Sequence, residues 1–157
     1  MISFKTRASA IRARDRRGAA VVEFACVLPL LILIVLGTIG AGQFVNVAQI
    51  VTNASREGAR QASRVTVTNE SEVESAVQGF LAEAFPGVPT DDLNAALTVE
   101  VLDSAGTAIV DGDLTTISSG SSFSVQVTFP FDTVQWIAGS PIFSGQSIQT
   151  ATMMRRE

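Results

Sequence analysis

The chain has 157 residues, 46% of them hydrophobic and 17% charged, enough for one apolar segment and one small domain of about 90 residues but not comfortably for a second. Its formal charge of −4 is unevenly spread, +5 before Glu23 and −9 from there on, so the larger part is acidic and unsuited to nucleic acid. There is no histidine or tyrosine and only one cysteine, which excludes an internal disulfide and leaves nucleophilic and zinc chemistry little to work with.

The first element in chain order is a basic leader, residues 1–18, with Lys5, Arg7, Arg12, Arg14, Arg16 and Arg17 against Asp15 alone. The run Phe24–Gly42 that follows carries no charge, and at ~1.5 Å per residue it is about long enough to cross a ~30 Å hydrocarbon core. Eleven of its residues are Leu, Ile, Val or Phe, and at about 0.3–0.6 kcal/mol each they outweigh the cost of Pro29 and the glycines. Positive charge favours the cytoplasmic side, so the amino terminus is predicted to stay cytoplasmic and everything past the run to lie outside the membrane, with lipid as a partner. Glu23 stands at the edge of the run, where a carboxylate is tolerable but wants a positive partner. Cys26 is expected to act as a small buried apolar side chain.

Past Gly42 the helical period continues through Phe44, Val47, Val51, Ala54, Gly58, Ala62 and Val65, which predicts one helix over residues 19–66 leaving the bilayer with an apolar or small face. Arg56, Arg60 and Arg64 share another face. They read either as a solvated face or as an intersubunit stripe, with Arg56, Glu57 and Arg60 the candidate contacts between subunits. A second helix is predicted from about Ser71 to Phe85, with Ser71 and Glu74 at capping-box spacing and Pro86-Gly87 ending it. The remainder of an outer domain over 67–157 alternates like strands: Leu97, Val99 and Val101 before a turn at Asp103–Gly106, Phe123, Val125, Val127 and Phe129 before Pro130, and Ser147–Met154 at the end. Thr115–Ser122 reads as a polar connection, and Val134–Ile137 and Pro141–Phe143 as apolar pieces. The fold class is α+β, a long membrane-spanning helix packed on a small antiparallel sheet.

Candidate chemistry is thin. Asp91-Asp92 and Asp111-Gly112-Asp113 offer hard oxygen ligands without matching a calcium loop, and polar turns account for them better. Asn53-Ala54-Ser55 and Asn69-Glu70-Ser71 match the glycosylation triplet, a pattern frequent by chance. No metal, cofactor or catalytic residue is assigned, and the chain is not expected to be an enzyme.

The specific signal is Gly18-Ala19-Ala20-Val21-Val22-Glu23-Phe24 behind the arginines, which resembles the processing site of type IV pilins and pseudopilins. The resemblance implies a prepilin peptidase cutting between Gly18 and Ala19, with Glu23 then fifth in the mature chain, paired with the free amine of a neighbouring subunit and followed by the aromatic Phe24. Val22–Ala25, Leu28–Leu31, Ala54–Ala62 and the ending Met154-Arg155-Arg156-Glu157 are similar to the TadE-like family of the tight-adherence (Flp) pilus system. That resemblance implies a pilin-like fold and a minor pseudopilin acting in pilus assembly, with other pilin and pseudopilin subunits and the inner-membrane assembly platform as partners. The competing readings are a signal-anchored envelope or adhesion protein unrelated to pili, and a secretory signal cut near Gly40–Gly42. A membrane-tethered hydrolase is the third class.

Overall fold

The computed structural model describes residues 7–135 and 143–157, with side chains described from residue 18 onward. Helix α1 spans Arg7–Ala62, α2 Glu70–Ala84 and α3 Thr90–Ala96; strands β1 Thr98–Leu102, β2 Ser122–Pro130 and β3 Ser147–Arg155 form one antiparallel sheet in the order β1-β2-β3. The chain divides into two compact units, Met1–Ile39 and Gly40–Glu157, the boundary falling within α1.

Within the second unit the two hydrophobic periods meet. The period-2 pattern of β2 turns Phe123, Val125, Val127 and Phe129 to one face, all of them buried. The 3.6-residue period of α1 supplies Val47, Val51, Ala54 and Ala62 to the same core, and α2 supplies Val73, Val77 and Leu81. Gly58 lies in close contact with α2 and the sheet: a Cβ added there would stand 2.7 Å from Val77 Cγ2 and 3.4 Å from Val125 Cγ1. Ser55, fully buried beside it, satisfies its hydroxyl on Thr152 Oγ1 at 2.6 Å, so a polar residue is accommodated in the core. The register of β2 on β3 is continuous from Ser122↔Arg155 to Pro130↔Ser147. At one end of this core Phe44 stacks on Phe143 at 5.3 Å and meets Phe131 edge-on at 5.3 Å.

The α+β architecture, the sheet and the face of α1 from Val47 to Ala62 stand as the sequence predicts. Several local expectations do not. Helix α1 stops at Ala62, and Val65 is 60% exposed, because the turn at residues 63–66 takes the chain away from the face that Val65 would have extended. The capping box fails: α2 begins at Glu70 behind Asn69, with Ser71 already inside the helix and its carbonyl accepting from Ser75 Oγ. Asp91 and Asp92 lie in the first turn of the unpredicted α3, where carboxylates favour the positive end of the helix. Asp113 does stand at a turn, accepting from the backbone N–H of Thr115 at 2.9 Å and from its hydroxyl at 2.7 Å. Cys26 is exposed, since nothing in the described chain covers that part of α1. Trp136, Ile137, Pro141 and Ile142, read as apolar pieces, lie outside the described residues.

Candidate functional site

The residues singled out from the sequence fall into two groups, one in each unit. Gly18, Ala19, Glu23 and Phe24 lie on α1 in the first unit, all exposed, and Phe24 keeps 62% of its surface open. A Cβ built on Gly18 meets nothing within 4 Å, so no packing among the described residues demands glycine at that position. Glu23 forms no ion pair or hydrogen bond among the described residues. From there to Ile39 the helix exposes a continuous apolar surface, including Val27, Leu30, Leu33 and Ile34. Within Gly18–Ala62 the helix includes a stretch long and apolar enough to cross a membrane, and none of that stretch is buried. This makes the segment a candidate membrane span by length and composition. Thr38, the one hydroxyl in it, bonds back to the carbonyl of Ile34 at 2.8 Å, which satisfies its polarity inside the helix.

In the second unit Arg56, Arg60 and Arg64 are all exposed, and among the described residues only Arg60 has an acidic partner. Its guanidinium meets both carboxylate oxygens of Glu57, at 2.9 and 3.0 Å, one turn away on the same helix. Such an exposed i,i+3 pair is screened by water and adds little to stability, and no acidic group among the described residues pairs with Arg56 or Arg64.

The largest role that the sequence left unassigned belongs to Arg156. It is buried, and its guanidinium donates to the carbonyls of Ala62 and Val67, each at 3.0 Å. The last carbonyls of a helix lack intrahelical partners and carry partial negative charge, so a buried cation there both satisfies and neutralises them. The sequence shows the two arginines of the ending but not a contact 94 positions distant. Nearby, the two bonds from Thr115 and, more weakly, the charge of Arg156 hold the Asp113 carboxyl below its ordinary value of 3.8.

A cleft of 410 Å³ opens between α1 and the Phe85–Val88 turn, and its described lining carries no titratable side chain. Gln43 at its edge donates to the carbonyl of Val134 at 2.8 Å. Among the described residues no group of three or more His, Cys, Asp or Glu is placed to hold a metal ion.

Comparison with known proteins adds one finding: residues 18–60 match the family model described as TadE-like protein. The match begins at Gly18 and covers Glu23, Phe24, Arg56, Glu57 and Arg60 while leaving α2, α3 and the sheet outside it. No curated protein and no solved structure matches the chain.

Proposed function

We propose that this chain, TadE-like over residues 18–60, is a minor pseudopilin that takes part in assembly of a Flp/Tad-type pilus and acts by association rather than by catalysis. The observation that carries the reading is Glu23, an exposed carboxylate without a partner among the described residues, at the edge of an apolar helical surface that no described residue covers. Burying such a surface in lipid or against other helices is favourable, whereas the carboxylate needs a positive group supplied from outside. Cleavage between Gly18 and Ala19 by a prepilin peptidase would create that group, a free amine, on a neighbouring subunit. The openness around Gly18 supports this, since a glycine not required by its own fold is free to serve a peptidase that approaches the backbone closely. The basic leader then stays cytoplasmic and the acidic domain lies outside, among other pilins and the inner-membrane assembly platform. The test is the mass of the amino-terminal peptide of the protein from isolated membranes. Ala19 as first residue is the expected result; Met1 would mark an uncleaved anchor and Gln43 a secretory signal, and either would overturn the reading.

A further inference from the structure

The two edges of the sheet are finished differently. At β1 the N–H of Val101 donates to Glu70 Oε1 at 2.8 Å and its carbonyl accepts from the N–H of Ile109 at 3.1 Å, so that edge is closed where another strand would have to bond. At β3 the bonds from Phe131 N–H to the Gln146 carbonyl and from Arg156 N–H to the Ser121 carbonyl fix the parity of the ladder. Even-numbered residues of β3 bond to β2, and the N–H and C=O of Ser147, Gln149, Ala151, Met153 and Arg155 point the other way. All five are exposed, and no described residue covers them. The strand has no proline and no bulge, and its first charge is Arg155 at the very end, so it lacks the devices that usually blunt an open edge.

Helix α1 is uncovered on the same side. The Ser55–Thr152 bond sets β3 beneath α1, and the contacts Phe44–Phe131 and Arg156–Ala62 make the two run in the same direction. At about 100° per residue, Gly58 lies roughly 60° from Ser55 towards α2, whereas Ala48, Thr52, Val45 and Arg56 lie roughly 20–100° round the other way. On that flank Ala48 and Thr52 are half-buried, Val45 is 55% exposed, and Arg56 has no ion-pair partner among the described residues. These residues border a shallow concavity of 450 Å³. The open edge and the open flank converge on one position, that of a fourth strand beside β3.

We propose that this position receives an extended segment of a different subunit, added to β3 as a fourth strand. A second copy of the chain does not fit. Antiparallel β3–β3 pairing about a two-fold axis sets Ser147–Arg155, a strand without an acidic residue, beside Arg56 and so supplies no carboxylate to it. Head-to-tail pairing needs the β1 edge, which Glu70 and Ile109 close. The fitting segment has small or β-branched side chains towards Ala48 and Thr52 and a carboxylate level with Arg56. The proposal rests on the pseudopilin reading for the source of that segment, the other pilin and pseudopilin subunits of the same pilus system.

The test is amide hydrogen exchange, read residue by residue on the full chain in membranes, expressed alone and together with those subunits. The N–H groups of Gln149, Ala151 and Met153 are expected to exchange fast in the chain alone and at least about tenfold slower in company, while Thr150 and Thr152 are slow in both. Three results would overturn the proposal: no slowing in company, slow exchange already in the chain alone, which means a cover from its own residues, or slowing that follows the concentration of this chain, which means a second copy. Ala151→Pro removes one outward N–H and no bond to β2, and is expected to abolish the slowing at Gln149 and Met153. If it lowers the Tm by more than about 5 °C, Val45→Glu, which sets a carboxylate on the flank of α1, is read instead, with the same loss expected. Slowing retained in the readable variant contradicts the proposal. A first residue of Met1 or Gln43 overturns the pilus reading whatever these amides do, and unprotected amides in chains that begin at Ala19 overturn strand addition alone.

Discussion

Helix α1 carries two different surfaces in one element. Between Gly18 and Ile39 its large apolar side chains are exposed, Val21 by 67% and Leu33 by 62%; between Val47 and Ala62 the same residue types are buried against α2 and the sheet. The glycines mark the contrast, since Gly18 stands in open space while Gly58 is pressed against Val77. In the second stretch the fold of the chain itself dictates the residues. In the first stretch the described contacts dictate almost nothing, and the proposed function assigns the demand for a lone Glu23, for Gly18 and for an uninterrupted apolar surface to lipid, peptidase or neighbouring subunits. Substitutions therefore separate into those that damage the domain and those that leave it folded and disable it.

The largest effect on folding is expected at Arg156. Arg156→Ala leaves the carbonyls of Ala62 and Val67 without their buried donor, at a cost of about 2–4 kcal/mol and a Tm lower by roughly 10 °C or more in thermal unfolding of the full chain in detergent. A Tm within about 2 °C of the parent would show that the end of α1 holds without its cap.

Next comes the glycine pair. Gly58→Leu forces a side chain into Val77 and Val125 and is expected to cost about 1–3 kcal/mol, whereas Gly18→Leu stays within about 0.5 kcal/mol of the parent. Equal melting of the two variants would erase the contrast between the halves of the helix.

The smallest effect is a pH dependence at Asp113. Its carboxyl is held below 3.8 by the Thr115 bonds, so its contribution to stability is present above pH 3.8 and is lost as the pH falls through the depressed folded value. Asp113→Asn is expected to melt less steeply with falling pH than the parent below pH 3.8 and to show the same slope above it. Identical slopes below pH 3.8 would remove Asp113 from the acid response.

Most of this contrast is legible in the sequence, because it is written in periods. The alternation of Phe123, Val125, Val127 and Phe129 and the three- to four-residue spacing from Val47 to Ala62 each name a buried face, and the face is the one observed. The uncharged run behind six basic residues names the exposed half. What escapes is set by contacts between distant positions. Arg156 and Arg155 look alike in sequence, yet one caps α1 from inside the core and the other is exposed with its Nε–H on the Gly120 carbonyl. Ser71 has the spacing of a cap, but the chain turns two residues earlier, at Asn69, and Glu70 is drawn instead to the N–H of Val101. The open edge of β3 is likewise invisible until the strand order is known.

The central claim is that the exposed half of α1, through Glu23, serves association with other subunits and not the stability of the chain. The most direct measurement is complementation of a deletion strain with Glu23→Ala, scored by sheared surface filaments together with the amino-terminal sequence and thermal unfolding of the variant. The expected result is a protein that is inserted, begins at Ala19 and melts like the parent, but supports no filaments. Full piliation by Glu23→Ala would contradict the claim and favour a plain membrane anchor.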